Sequence, residues 1–177
     1  MIVRNPNQRV AVLVDVQNIY YSAKNLHQGR IDYAKLLEIC VQGRTLTRAI
    51  AYVINPDTTE KTSGSNEFFE AVNSAGFETK EKALQTFYGG AKKGDWDVGI
   101  AMDAVRLGAK VDSIVLVSGD GDFRPVVNFL QQSHGCLVEV VAFKKATNSE
   151  LIEMADDFID IDDLKDQLVF RTKKSKR

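Results

Sequence analysis

The chain has little that staples or anchors a protein. Its two cysteines, Cys40 and Cys136, stand far apart and fit no C-x-x-C or Cys/His pattern, which excludes a disulfide-stapled module. They read as reduced, buried thiols. No apolar run approaches the roughly 20 residues of a bilayer-spanning helix, and the opening "MIVRNPNQRV" lacks a signal-peptide hydrophobic region. The expectation is a soluble, cytoplasmic protein in a reducing compartment. Nor does one sign of charge dominate: 23 Lys and Arg against 24 Asp and Glu leave a formal net charge of −1, unlike a protein that coats nucleic acid by bulk electrostatics. The two histidines, His27 and His134, have no ligand partner at useful spacing and are expected in surface or helix-end roles. A G-x-x-x-x-G-K-[ST] phosphate loop is also missing, which argues against a P-loop nucleotidase.

What is present is an apolar content of 44% in 177 residues, enough for one domain with a proper core. The run Val10 to Val14 is apolar throughout, as in a strand buried on both faces. A helical stretch follows. Asp32 can cap "YAKLLEICV" until Gly43 stops it; "TRAIAYVI" reads as a strand; "SNEFFEAVNSAG" reads as a helix capped by Ser65 and closed by Gly76. "FETKEKALQTFY" suggests an edge strand. Then come "DWDVGIAMDAVRLGA" (helix), "SIVLVSG" (strand), "FRPVVNFLQQSHG" (helix) and "LVEVVAF" (strand), with a further helix near Asn148 and a short strand near Phe158 to Ile161. Alternating strands and helices imply an α/β fold, an αβα sandwich around a mainly parallel central sheet. The domain is expected to span 1–163, with a basic tail over 164–177.

In such sheets ligands bind beyond the carboxyl ends of the strands, where the winding reverses. Asp15 directly follows the first strand, and Asp120 and Asp122 follow "SIVLV". If the first and fourth strands are central neighbours, these three carboxylates converge on one crevice. Asp97 starts a helical stripe continued by Ile100, Ala101 and Ala104, a face turned toward the core. Asp95 reads as that helix's cap, and Asp103 falls off the stripe, toward solvent or a supporting position beside the ligands. Taken singly, each aspartate is more often a cap or turn former, and Asn18 is equally readable as a helix cap. Gathered at one edge, the acids repel unless a cation intervenes. All-oxygen ligands without His or Cys favour Mg²⁺ or Mn²⁺ over zinc. Gly121 would permit a tight turn that aims both Asp120 and Asp122 inward, and Ser118 adds a hydroxyl. Met102 and Met154 read as core fillers.

The blocks "VAVLVDVQNI", "KKGDWDVGIAMDA" and "VLVSGDGDF" resemble those of the NYN domain, a branch of the PIN-like metal-dependent ribonucleases, and the three occur in the right order. The resemblance implies an RNA phosphodiesterase that uses metal-activated water. By motif it assigns catalytic roles to Asp15, Asn18, Asp97, Asp120 and Asp122, with Asp15, Asp97, Asp120 and Asp122 as metal ligands. Asp103 fits a weaker family position, and Ser118 belongs to the S-G-D-x-D-F block. The implied partner is RNA, single-stranded or structured, with no membrane, and self-association is left open. Phosphates flanking the cut would meet Lys92, Lys93, Arg124, Lys144 and Lys145. Tyr20, Tyr21 and Trp96 could stack on bases, although core packing is expected for each. The alternative is a regulatory RNA- or protein-binding module of the same fold with little turnover. A haloacid-dehalogenase phosphatase fits less well, because Gln17 stands where its second Asp is required. A response-regulator receiver also fits poorly, since it pairs its acids at the first strand.

Overall fold

β1 (Arg9–Asp15) is the centre from which the chain winds outward in both directions. Its residues Val10, Ala11, Val12, Leu13 and Val14 have no solvent exposure, as a parallel strand covered on both faces requires. Burying side chains of this size contributes about 1.5–3 kcal/mol for each of the larger ones. The computed structural model describes residues 3–55, 63–83, 85–86 and 92–171.

From β1 the chain passes through α1 (Val16–His27), the short strand β2 (Gly29–Ile31) and α2 (Tyr33–Val41) to β3 (Thr45–Asn55). The Asp32 carboxylate caps α2 by accepting the Lys35 N–H at 3.0 Å. Gly43, just past the helix, has φ +73°, a conformation that costs glycine little. α3 (Ser63–Ser74) begins two residues before the expected Ser65 cap and is followed by Gly76 at φ +101°. β4 (Glu78–Ala83) is the parallel edge strand. Two-residue strands β5 (Gln85–Thr86) and β6 (Lys92–Lys93) pair antiparallel outside the main sheet.

The second half runs through α4 (Asp97–Gly108), β7 (Ser113–Val117), α5 (Arg124–Phe129) with a π-helical turn to His134, and β8 (Leu137–Ala142). α6 (Ser149–Met154) and β9 (Asp157–Asp160) complete the main sheet. Within 164–177, expected as a closing helix or basic tail, residues 165–171 form two short elements. α7 (Lys165–Leu168) buries Leu168 completely, and β10 (Val169–Arg171) pairs antiparallel with β2. Neither β2 nor β10 is signalled by sequence pattern, because three residues are too few to show a period.

The six-stranded sheet has the order β4-β3-β1-β7-β8-β9, parallel throughout, with helices flanking it in an αβα sandwich. β1 and β7 are therefore central neighbours, and Val14 lies opposite Val117 in their register. The winding reverses between them. Both cysteines are free and buried, and among the described residues no helix is long and apolar enough to cross a membrane. Met154 packs against the core, but Met102 is 49% exposed, because position 102 falls on the outer side of α4.

The amino-terminal side of the sheet holds a buried ion network that no sequence motif announces. Glu139, with no exposure, accepts from Arg44 at 2.5 and 3.2 Å, from Arg4 at 2.9 Å and from the Ser113 hydroxyl at 2.6 Å. Arg4 also reaches Asp157 at 2.5 Å.

Candidate metal centre

The register of β1 against β7 sets the geometry. Asp15 and Ser118 each follow a paired residue, Val14 and Val117, so they emerge side by side at the carboxyl edge. Ser118, fully buried, lies with its Oγ 3.4 Å from Asp15 Oδ2 and accepts the Asp120 N–H at 3.3 Å. Asp15 Oδ1 caps α1 by accepting the Asn18 N–H at 3.1 Å. Asn18 then closes the switch point: its Oδ1 accepts the Gly119 N–H at 3.0 Å. One asparagine thus ties the start of α1 to the end of β7, a role that its reading as a simple helix cap omits.

Asp120 accepts the Asp122 N–H at 2.9 Å, which opens a 3₁₀ turn over Gly121–Phe123. Gly121 does not have a positive φ; it is needed because the chain passes so close. A Cβ at Gly121 would stand 2.8 Å from the Asn148 side chain, and one at Gly119 would stand 2.8 Å from the Ala146 carbonyl oxygen. Contacts this short are not tolerated. The glycines therefore let the segment before α6 pack against the acidic turn.

α4 brings the remaining acid. Ile100 and Ala104 face the core at 0% and 2% exposure, as the helical stripe predicts. The N-cap position belongs to Trp96, not Asp95, and carries no side-chain cap bond. Trp96 fastens the helix start in another way: its Nε1 donates to the Val53 carbonyl at 2.9 Å, and its ring lies where a Cβ on Gly99 would come within 2.5 Å of it. Asp97 opens the first turn, where the helix dipole favours negative charge.

Asp97, Asp120 and Asp122 form one group, each with a carboxylate oxygen within 4.8 Å of the others. Octahedral Mg²⁺ with ligand oxygens at about 2.0–2.1 Å places neighbouring oxygens about 3 Å apart and opposite ones about 4 Å apart. With their oxygens this close, the three carboxylates could together hold one divalent ion, and an all-oxygen donor set suits a hard one. Asp15 stands at the same edge and lines the same pocket, outside this group of three.

Electrostatics support the grouping. Burial, followed by the charges of Asp120, Asp95, Asp15 and Asp122, pushes the Asp97 carboxyl from 3.8 up to about 6. Burial also raises Asp15; the Asn18 N–H and the Ser118 hydroxyl oppose this, and the charge of Asp120 adds to it. Between pH 3.8 and about 6 the folded protein holds a proton on Asp97 that the unfolded chain has lost, so metal-free stability falls as pH rises through that window. Asp97→Asn removes the repulsion. It is expected to raise the melting temperature of chelator-treated protein by about 2–4 °C at pH 7.5, the equivalent of ~1 kcal/mol once solvent screening of a partly exposed group is allowed for. Near pH 4 the two proteins should melt together. A lower melting temperature for the variant at pH 7.5 would show that the acids are not in conflict.

Several expected site residues lie elsewhere or are already engaged. Asp103 is neither solvated nor part of the acidic group. It is buried and accepts from the Tyr52 hydroxyl at 2.7 Å and Lys80 Nζ at 2.5 Å; burial pushes its carboxyl up, but these two bonds hold it net below the ordinary value. Arg124 donates to the Gly121 carbonyl at 3.0 Å and pairs with Glu150. Lys144 and Lys145 are exposed just beyond β8, on the same edge as the acids. The side chains of Lys92 and Lys93 fall outside the described residues. His27 ends α1 and meets Asp162 at 2.7 Å, and His134 is exposed at the end of its helical turn. Tyr20 and Tyr21, expected in the core, are 39% and 50% exposed. Their positions on α1 point away from the stripe formed by Val16, Ile19 and Ala23.

An acid-rimmed switch point in a parallel αβα sandwich is the arrangement of a PIN-like, nuclease-type domain. The family model of the NYN domain matches residues 9–162, and the chain belongs to that family. It is 25% identical over 165 residues to low amplitude and bright protein LabA of Synechococcus elongatus, covering 89% of this chain and 86% of that protein. A solved structure from Vibrio parahaemolyticus, described as a protein of unknown function, superposes with a TM-score of 0.84 at 33% identity, over 96% of this chain and 100% of that one.

Proposed function

We propose that the protein is a metal-dependent ribonuclease that hydrolyses RNA phosphodiester bonds. The observation that carries this reading is the gathering of Asp97, Asp120 and Asp122 from a helix start and a strand end onto one point of the sheet edge. Mg²⁺ or Mn²⁺ held there would supply a Lewis acid that acidifies water and offsets charge on the phosphate. The chain's own contribution is position. Asp120 and Asp122 are set by a strand end and a turn that neighbouring glycines let pack tightly. Asp97 is set by a helix start pinned through Trp96.

Asp15 is the fourth member of this set in the proposal. Its Oδ2 faces the Ser118 hydroxyl at 3.4 Å, longer than a strong O–H···O bond, and this is the oxygen proposed to turn toward a cation. Asn18 holds the Gly119 backbone and thereby the height of Asp120. Lys144 and Lys145 are proposed to contact phosphates beside the cut, together with Lys92 and Lys93; such contacts position the strand and carry no sequence information. Asp103 is left out of the proposed metal site, since its carboxylate is bonded by Tyr52 and Lys80.

The test is cleavage of end-labelled RNA in Mn²⁺ or Mg²⁺, with and without a chelator, alongside melting curves. Saturating Mn²⁺ at 100 times its Kd is expected to stabilise the fold by about 2.7 kcal/mol, and chelator should remove both this gain and all cleavage. Cleavage that persists in excess chelator would overturn the metal-dependent reading. Stabilisation by Mn²⁺ without any product would move the protein to the binding-module alternative.

A further inference from the structure

The acids form only one wall of their cavity. It has a volume of about 380 Å³, and beyond Gln17 and Asn18 the helix α1 lines it with Tyr21, Ser22, Asn25 and Leu26. We infer that this α1 wall is a base-binding subsite that takes one unpaired nucleotide next to the phosphate being cut. The inference rests on the nuclease reading for its ligand and on four further observations.

First, the cavity is at the low end of the roughly 300–1,000 Å³ of small-ligand sites. That is room for a single nucleotide and not for a stacked pair. Second, its two walls differ in charge. Asp15, Asp95, Asp97 and Asp120 carry its negative charge, while the six lining residues of α1 are all uncharged. A phosphate therefore belongs at the acids with their cation, and a neutral planar base suits the other wall. Third, the α1 wall offers what a base uses. The Tyr21 ring is half exposed and presents a stacking face. Leu26, 38% exposed, adds an apolar edge. The Asn25 amide can pair with a base edge. Ser22 donates its hydroxyl to the Asn18 carbonyl at 2.8 Å, which holds the first turns of the helix.

Fourth, the surface continues outward as a track. The Tyr20 ring meets Tyr21 edge-on at 5.4 Å between centroids, and Lys24 Nζ lies 5.8 Å from the Tyr20 centroid. An aromatic pair with an adjacent cation is the combination that single strands bind. A base inside a duplex is stacked on both faces and cannot lie against Tyr21 without first leaving the helix. The substrate at this site is accordingly single-stranded, or a loop or end that frees one base.

The experiment uses the full chain and a short single-stranded oligoribonucleotide carrying 2-aminopurine, with Ca²⁺ in place of Mn²⁺ to hold the strand uncut. Stacking is expected to quench the probe. Tyr21→Ala should weaken binding by about 5- to 150-fold, the range for loss of one base stack. Tyr21→Phe should retain most of the affinity, and the fully paired duplex should bind far more weakly. The Mn²⁺ melting shift should persist in Tyr21→Ala, since a half-exposed ring is not needed to fold the acids. Equal binding by wild type and Tyr21→Ala, or by single strand and duplex, would overturn the inference. Tyr21-dependent quenching in a protein that cuts no RNA in Mn²⁺ would support this pocket and overturn the nuclease reading instead.

Discussion

Asp120→Asn is expected to lower RNA cleavage in Mn²⁺ or Mg²⁺ by at least about 10²–10³-fold, as befits loss of a charge that organises the reacting centre. The fold should survive. The amide keeps an oxygen in the place of Asp120 Oδ1, which accepts the Asp122 N–H at 2.9 Å, and the side chain is only partly buried. What disappears is one of three negative charges that share a point within 4.8 Å. The measurement is a time course with labelled RNA, paired with melting curves in chelator and in Mn²⁺. The variant should melt near wild type in chelator and gain much less from Mn²⁺. Equal cleavage by both proteins would remove Asp120 from the mechanism.

The largest stability effect is expected at the opposite end of the sheet. Glu139→Ala leaves Arg44, 5% exposed, without its carboxylate, and also strips partners from Arg4 and Ser113. Breaking a buried pair in this way costs about 3–5 kcal/mol, because the surviving charge stays out of water. For a chain of this size that corresponds to a fall in melting temperature of about 10 °C. Replacing Arg44 and Glu139 together by Met and Leu should recover much of the loss, since it is the unpaired charge and not the missing bridge that is expensive. The Mn²⁺ shift of each variant should match wild type. A Glu139→Ala variant that melts within 2–3 °C of wild type, on the order of 1 kcal/mol, would show that water reaches Arg44 and that the network is not truly buried.

These two residues also mark how far the sequence could be read. The acids of the carboxyl edge are legible because each sits at an element boundary that local pattern exposes. Asp15 ends an apolar run, Asp120 and Asp122 end another, and Asp97 begins a helical stripe. The Arg44–Glu139 pair was not legible. Its members are 95 residues apart, and Glu139 interrupts a strand that otherwise reads as plain core. Tyr20 and Tyr21 are expected in the core because aromatic residues are buried more often than not, and only the orientation of α1 exposes both and sets Tyr21 in the cavity lining.

The sequence alone determined the order of the main-sheet strands and their helices, the parallel αβα class and which acids reach the sheet edge, since hydrophobic period and chain punctuation are local properties. The tertiary structure decided which of those acids share a point. It left Asp15 one step outside the group of three, gave Asp103 to Tyr52 and Lys80, and made Gly119 and Gly121 a matter of close packing. Each of those outcomes depends on the register between strands and the rotation of helices over them, distances that no run of consecutive residues encodes.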